Sequence, residues 1–301
     1  MLLPRVVIIV VSVVGCLWLW GVPFFPRVPL PSTLLPAKTT DARKIVMVTA
    51  SSGSGRILSL PNIKEQVYEN RMTYAQRHGL EFMWANMTSY NLPNGEGLVW
   101  NKMPVLKEAF DRFPDAEWVW WIDIDIIIMN MSLNLTGAGG GETGYRTPAI
   151  YNYDDINFVI PEDHWGMNAG NFLMRRSEWS DWLLDMWLEP LFVKENWVFA
   201  ENDAWTHMWQ NHEIVRKHSA CVSQRSMNSY PASNPLGESW QAGDFLIHFA
   251  GCDGGGECPN NWKRYWALRE QVEVPMSVHK KLADGTAEIE NTQRGVGMPL
   301  Q

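Results

Sequence analysis

Two carboxylates interrupt the most apolar stretch of the sequence, and they constrain the fold more than any other feature. Residues 118–129 are apolar except for Asp123 and Asp125. A run so rich in Ile and Trp predicts a buried strand, in which residues two apart face the same way. Two like charges on one face of a buried strand are costly unless a cation compensates them. The stretch therefore predicts a site for a hard divalent cation with oxygen ligands, or else a strand end at which both carboxylates reach water or cap a helix.

Strands and helices alternate around this run. Residues 45–50 form a short apolar run typical of a buried strand, and apolar positions recur at helical spacing over residues 63–78, before Gly79. Similar patterns predict strands at 80–84 and 172–174 and helices at about 103–112, 178–188 and 201–211. The alternation indicates an α/β domain with a mostly parallel mixed sheet. Ligands collect at the carboxyl ends of strands in such sheets, which favours the cation site over the alternative.

The amino-terminal segment predicts a membrane anchor. Residues 6–25 carry no charge, and a helix needs about 20 such residues to cross a bilayer. Because no small-x-small cleavage pattern follows, we expect an uncleaved anchor rather than a cleaved signal peptide. Arg5, the only charge ahead of the run, favours a cytosolic amino terminus. We therefore predict a cytosolic tip at 1–5, a transmembrane signal anchor at 6–25, a Pro-rich stem at 26–43, a lumenal domain at 44–281 and a flexible tail at 282–301.

Glycosylation triplets and cysteines agree with a lumenal domain. Triplets that accept N-linked glycans begin at Asn86, Asn130 and Asn134. Cys252 and Cys258 bracket a glycine-rich loop and would pair in an oxidising compartment, leaving Cys221 over, although the sequence does not fix the pairing.

Composition argues against one class of partner. The formal net charge is −8 and no dense block of Lys and Arg occurs, which argues against a nucleic-acid binder. Trp is abundant, at 17 residues. We expect most of these indoles in the core, with a few lining a sugar cleft as the alternative.

Three further polar segments are candidates for a site. Small residues surround Asn168 within residues 166–172, and they either admit a close backbone approach and present an amide to sugar hydroxyls or form a plain turn. Acidic residues open the helix at 201–203, where the helix dipole favours them. His248 ends an apolar strand, and it is either a metal ligand or a hydrogen-bonded core histidine.

Taken in order, these segments resemble the fungal Golgi galactosyl/mannosyltransferase family. That family includes α-1,2-galactosyltransferases and α-1,6-mannosyltransferase subunits, with plant xyloglucan xylosyltransferases as more distant members. The resemblance runs from about Lys44 to about Trp266. It is carried by residues 70–79, 100–104, 116–125, 167–172, 179–180 and 248–252.

The resemblance implies a GT-A fold, a single-pass type II Golgi membrane protein with its catalytic domain in the lumen, and hexose transfer with retention of configuration. It implies Mn²⁺ as the cofactor, with Asp123, Asp125 and His248 as ligands. The partners it implies are a nucleotide-sugar donor (UDP-galactose or GDP-mannose), a glycan acceptor, the membrane through the amino-terminal helix, and a Golgi transferase complex.

The resemblance also implies roles for individual residues. The catalytic residues would be Glu201, Asn202 and Asp203. The substrate-binding residues would be Thr49, Ala50, Asn70, Tyr74, Lys102, Asp123, Asn168, Ala169, Gly170 and Gly251. Two positions depart from the pattern: Asp253 stands where plant relatives carry Lys, which puts a cationic phosphate contact there in doubt, and Asn202 stands where relatives often have Gln.

Two mechanisms and two rival functions stay open at this point. Retention is compatible with a carboxylate nucleophile, Glu201 or Asp203, and equally with front-face attack without a covalent intermediate. The rival functions are a non-catalytic subunit of a Golgi transferase complex and a membrane-tethered sugar-binding module. The set formed by Asp123, Asp125 and His248 argues against the first rival, and Trp richness alone supports the second.

Overall fold

The computed structural model describes residues 44–52, 57–90, 92, 97–135, 155–234, 237–252 and 256–271. The predicted tip, anchor, stem and tail lie outside these residues, as do Asp253 and the glycine-rich stretch at 137–141, so those assignments stay predictions. Within the described ranges, every helix is too short or too polar to span a bilayer.

The described strands build two sheets. In chain order they are β1 (Ile45–Ser51), β2 (Glu81–Asn86), β3 (Trp118–Ile122), β4 (Ile126–Ile128), β5 (Phe158–Asp163), β6 (Gly166–Met167), β7 (Asn171–Arg175), β8 (Ser219–Val222) and β9 (Leu246–His248). The larger sheet has seven strands in the order β2-β1-β3-β7-β5-β6, with β8 also paired to β5. The smaller sheet consists of β4 and β9.

The large sheet is mixed, as predicted, but it is not mostly parallel. β2, β1 and β3 are parallel, and so are β5 and β8, whereas β7 is antiparallel to both β3 and β5, and β6 is antiparallel to β5. The prediction failed because β5, β6 and β7 follow one another through short connections. Such connections join only antiparallel neighbours, since a parallel pair requires a crossover of a dozen or more residues.

The helices agree closely with the periodicity of the sequence. They are α1 (Ile63–His78), α2 (Lys102–Arg112), α3 (Glu178–Trp187), α4 (Pro190–Lys194), α5 (Glu201–Asn211), α6 (Glu213–Lys217), α7 (Gln224–Met227) and α8 (Cys258–Leu268). Gly79 ends α1 with a left-handed φ of 71°, and its N–H donates to Ala75 O, which confirms the predicted cap.

The stretch 118–129 is not one strand, contrary to the prediction. Ile122 pairs with Asn171 in the large sheet, Ile126 pairs with His248 in the small sheet, and a turn separates them. The fully buried Arg71 on α1 donates to the carbonyl of Ile126 at 2.6 Å and to that of Asp123 at 3.2 Å. These bonds satisfy carbonyls that a continuous strand would have paired with a neighbouring strand. The two carboxylates therefore lie on a turn at the carboxyl end of β3.

The fully buried tryptophans in the described part of the chain pack around the large sheet. Trp118, Trp120, Trp121, Trp187 and Trp205 are among the largest fully buried side chains, which confirms the expectation of a core role. Aromatic side chains of this size contribute heavily to burial. The chain thus uses its indoles chiefly to pack the sheet that positions the turn.

The cysteine pairing left open by the sequence is present in the structure. Cys252, shortly after β9, forms a disulfide with Cys258, the first residue of α8, and Cys221 is free. The bond ties the segment after His248 to the helix that follows.

Candidate metal centre

Asp123, Asp125 and His248 converge at the edge of the large sheet. Each offers a ligand atom, and these atoms lie within 4.8 Å of one another. The Asp side chains are 25% and 21% exposed, so an ion from solvent can reach them. The pairing of β4 with β9 creates this proximity, because it sets Ile126 opposite His248 and places Asp125 beside the imidazole, 3.4 Å from Nε2.

His248 is oriented by a contact on the far side of its ring. Its Nδ1 lies 2.6 Å from Asn228 Oδ1. Because that oxygen only accepts, Nδ1 carries a proton, and in the neutral imidazole Nε2 presents its lone pair toward Asp125. Gly170 leaves room for the ring, since a Cβ there would stand 2.5 Å from His248 Cε1. The arrangement suits a histidine that binds metal through Nε2.

Asp123 is held on both sides by neighbouring side chains. Trp121 donates its indole N–H to Oδ1 at 2.6 Å, and Lys102 donates to Oδ2 at 3.1 Å. The backbone N–H of Asp123 donates to Gly170 O at 2.8 Å. The carboxylate is therefore fixed in place before any ligand arrives, which is the preorganisation that a binding site requires.

Lys102 bridges two carboxylates inside the protein. The residue is 4% exposed, and its ammonium donates to Glu201 at 2.8 Å, to Ala169 O at 3.0 Å and to Asp123. Burial opposes the charge, but Asp123 and Glu201 raise the pKa of Lys102 above its ordinary value. The ammonium donates to three protein acceptors, so Lys102 compensates charge within the site, and its predicted contact with substrate stays a prediction.

Arg71 supplies a second positive charge beneath the turn. Burial lowers its pKa to about 9, against the attraction of Asp125 and Asp123. Because that value lies well above neutral pH, the guanidinium stays charged. Sequence reasoning missed this role, although Arg71 lies within the segment at 70–79 that carries the resemblance.

The ligand candidates perturb one another's titration. Burial, reinforced by the neighbouring charge of Asp125, raises the pKa of Asp123 although Lys102 opposes the shift. Burial also opposes ionisation of Asp125, but the imidazole of His248 holds the pKa of Asp125 below its ordinary value. Burial would lower the pKa of His248, and Asp125 outweighs it and raises that pKa. Asp125 and His248 therefore favour each other's charged forms when no cation is bound, and a metal at Nε2 would compete with a proton there.

The predicted substrate residues at 168–170 connect the parts of the site. Asn168 donates to Asp163 at 2.7 Å and accepts from the N–H of Gly170 at 2.9 Å. The N–H of Ala169 donates to Asn202 at 2.6 Å, which joins this turn to the first turn of α5. The short segment thus links the metal turn, Lys102 and α5, and its contact with a sugar stays a prediction.

Of the other predicted site residues, three are directed into the core. Thr49 is fully buried and donates to Ile122 O, Asn70 hydrogen-bonds both backbone groups of Ile128, and Tyr74 donates to Leu133 O. Their polar groups support the backbone around the turn that carries the carboxylates, and their predicted contact with substrate stays a prediction. Ala50 is also buried, whereas Gly251 is exposed in a left-handed turn with φ 75°.

The predicted catalytic residues at the start of α5 differ in exposure. Glu201 is 3% exposed and paired with Lys102, which favours charge balance over nucleophilic attack. Asn202 binds Ala169 through its side chain, and Asp203 accepts from the N–H of Phe199 at 2.8 Å. Their catalytic roles stay predictions.

Two contributors to the site lie in a segment without periodic spacing of apolar residues. Asn228 orients His248, and Tyr230 donates to Asp163 at 2.6 Å, with its ring centroid 5.9 Å from that of His248. Both belong to the segment between α7 and β9, in which neither helical nor strand spacing is visible.

The residues present fit a divalent metal. Two carboxylates and one imidazole with a hydrogen-bonded second nitrogen are a ligand set found for Mn²⁺ and related ions. Asp125 and His248 have fewer competing protein contacts than Asp123, so they would hold the ion most directly. A bound ion would supply Lewis-acid stabilisation of a leaving phosphate.

Comparison with known proteins identifies the family. The galactosyl transferase GMA12/MNN10 family matches residues 41–138 and 141–259, which include all three ligand candidates. The chain belongs to this family. It is therefore a glycosyltransferase, and the resemblance predicted from its sequence segments is confirmed.

Individual members of the GMA12/MNN10 family show how close the relationship is. An uncharacterized α-1,2-galactosyltransferase from Schizosaccharomyces pombe is 38% identical over 78% of this chain and 68% of its own length. A second protein from that yeast, named α-1,2-galactosyltransferase, is 33% identical over 75% of this chain and 66% of its own length. The probable α-1,6-mannosyltransferase MNN10 of Saccharomyces cerevisiae is 30% identical over 77% of this chain and 67% of its own length. The chain thus spans about two thirds of the length of these relatives.

Solved structures are more distant. A glycosyltransferase involved in the glycosylation of the major capsid of PBCV-1 is 13% identical, with a TM-score of 0.49, over 73% of this chain and 98% of its own length. A likeness at this level carries no argument about the present site.

Proposed function

We propose that this family member is a retaining, Mn²⁺-dependent hexosyltransferase that moves galactose or mannose from a nucleotide sugar to a glycan acceptor. The observation that carries the proposal is the convergence of Asp123, Asp125 and His248 at the end of β3. A metal held there would neutralise the diphosphate as it leaves. In this proposal the large and small sheets form a GT-A domain whose carboxyl strand ends bind the donor.

The donor sugar is a choice between two. The relatives with 38% and 33% identity are named as galactosyltransferases, whereas the one at 30% is named as a probable mannosyltransferase. UDP-galactose is therefore the first donor to test and GDP-mannose the second. We further propose a type II Golgi protein, anchored through residues 6–25 and acting in glycoprotein glycan or mannan synthesis, within a Golgi transferase complex.

The surroundings of α5 bear on the chemistry of retention. Glu201 is ion-paired and buried, and Asp203 caps a backbone N–H. Neither carboxylate is both free and exposed, which favours front-face attack, in which the acceptor hydroxyl enters on the side from which the diphosphate departs. A trapped glycosyl-enzyme on Glu201 or Asp203, detected by peptide mass spectrometry, would establish the two-step route instead.

The test is donor turnover by the full chain with Mn²⁺ or EDTA. Wild type should consume one donor only when Mn²⁺ is supplied. Asp125→Asn should lose orders of magnitude in rate, since metal stabilisation of a leaving group is worth several kcal/mol. Its melting temperature should change little, because relief of repulsion from Asp123 offsets the lost contact with His248.

The matched control is Asp185→Asn, which removes a carboxylate that is 71% exposed on α3. It should retain wild-type activity. The metal assignment fails if Asp125→Asn folds normally and keeps full Mn²⁺-dependent activity. A non-catalytic subunit or a sugar-binding module would leave both donors intact in every arm.

A further inference from the structure

An aromatic pair is exposed beside the candidate site. Among the described residues, Trp165 is 53% exposed and Phe199 is 42% exposed, and their ring centroids lie 5.5 Å apart. Adjacent exposed aromatic side chains cost solvation free energy and commonly mark a binding surface. Neither residue has a role in the metal centre described above.

The pair lies at the same edge of the sheet as the metal centre. Trp165 occupies the turn between β5 and β6, where Asp163 pairs with Gly166. Phe199 lies two residues before α5, whose Asn202 is bonded to Ala169 in the site. β3 reaches this edge at Ile122, opposite Asn171, whereas Trp118 and Arg175 define the opposite edge.

Hydrogen bonds rooted in the site hold both aromatic residues. The N–H of Trp165 donates to Asp163 at 2.7 Å, and the other oxygen of Asp163 accepts from Tyr230 and Asn168. The N–H of Phe199 donates to Asp203 at 2.8 Å. Fixing both backbones lowers the entropy cost of binding a ligand against the rings.

The charges that hold the pair favour a neutral ligand. Asp163 and Asp203 are carboxylates, and they would repel the diphosphate of a nucleotide sugar. A glycan of neutral hexoses carries no charge, and its pyranose rings have apolar C–H faces that match an aromatic surface, with hydroxyls at the rim for polar partners.

We propose that Trp165 and Phe199 form the platform on which the acceptor glycan stacks, with one pyranose ring against the aromatic pair. The proposal rests on the proposed function, because it assigns the second substrate of the same site. The platform orients the acceptor, while Asp125 and His248 serve the donor.

The test uses the full chain and methyl α-D-mannopyranoside as the acceptor probe. Trp165→Ala and Phe199→Ala should each raise the acceptor KM about tenfold, the effect of losing one aromatic contact. The donor KM should stay at its wild-type value. Trp165→Tyr retains a ring face and should restore most of the acceptor affinity, which a simple loss of folding would not allow.

Trp182→Ala is the matched control. Trp182 is 39% exposed and pairs with Trp179, whose ring lies 5.8 Å from that of His218. The carbonyl of His218 accepts hydrogen bonds from the N–H groups of Asn157 and Phe158, at the edge of the sheet opposite the metal centre. This variant should leave both KM values unchanged.

A second arm separates the platform from the proposed function. Saturation-transfer NMR measures binding of the same methyl mannoside without donor, so it reports on the platform even if no sugar is transferred. Loss of the NMR signal in Trp165→Ala is sufficient to support the platform. An unchanged acceptor KM and an unchanged NMR signal in both alanine variants overturn it. A change seen only in the molecular mass measured by sedimentation also overturns it, because that result would mark a surface for a second protein chain.

Discussion

Removing the buried ammonium of Lys102 should cost the protein much of its stability. Lys102 lies 2.8 Å from Glu201 and 3.1 Å from Asp123, and it also bonds Ala169 O. In Lys102→Met the carboxylate of Glu201, itself 3% exposed, loses its cation. Breaking a buried pair on one side costs about 3–5 kcal/mol. For a domain of this size that loss lowers the melting temperature by roughly 6–20 °C.

The assay is thermal unfolding followed by circular dichroism, with two companion variants. Lys102→Met/Glu201→Gln removes the orphaned charge and should recover much of the loss, which gives a coupling free energy of roughly 0.5–3 kcal/mol. Lys107→Met on the same helix is the control. It breaks only the pair with Asp185, which is 71% exposed, and such surface pairs are worth about 0–1 kcal/mol.

Two results would refute the reasoning about Lys102. In the first, Lys102→Met has the same melting temperature as Lys107→Met. This would mean that water or a counter-ion compensates the charge of Glu201 without the ammonium. In the second, the double variant is no more stable than the single one, which would assign the loss to packing alone.

Three further predictions follow from single residues. Gly170→Ala should weaken Mn²⁺ binding in calorimetric titration, because a Cβ there meets His248 Cε1 at 2.5 Å. Gly97→Ala is the control, since a Cβ at that position meets nothing within 4 Å. Equal Mn²⁺ affinities of the two variants would contradict the packing argument. Burial, with Glu162 nearby, raises the pKa of Cys221 to about 12, so at pH 8 its thiol should react slowly with iodoacetamide until the chain is unfolded, and rapid labelling of the native protein would disprove this. Glycosidase should shift the mass of protein made in its host, and Asn86→Gln should abolish the shift while Asn130→Gln leaves it; an unshifted wild type would count against lumenal residence.

Local signals predicted the elements that depend on local interactions. The spacing of apolar residues gave β1, α1 with its Gly79 cap, and α5 at its observed bounds. The metal candidates also come together in the structure. The two carboxylates were predictable because a charged pair within an apolar run can be recognised without knowledge of the fold. These predictions succeeded since helix caps and buried strands are determined by neighbours along the chain.

Long-range contacts were not predictable in the same way. The break after Ile122 is bonded by Arg71, which lies far away in the sequence on α1, and the sequence shows only that α1 has a buried face. The backbone hydrogen bonds of Asn70 and Tyr74 were not predictable either, because a polar residue in a matching segment looks the same whether it binds a ligand or a backbone carbonyl. Partners such as Asn228 lie in segments without periodicity, where only the fold reveals their position.

The pairing of β4 with β9 has a consequence for synthesis on the ribosome. Asp125 emerges more than a hundred residues before His248, so the nascent chain carries its carboxylates long before their imidazole partner exists. In the folded protein the backbone of Ile128 is bonded by Asn70, which lies on a helix made earlier. Domains generally fold as units, and the N-terminal ones fold first during synthesis. The metal centre is therefore completed only when β9 arrives, and a chain truncated before Leu246 should lack a centre.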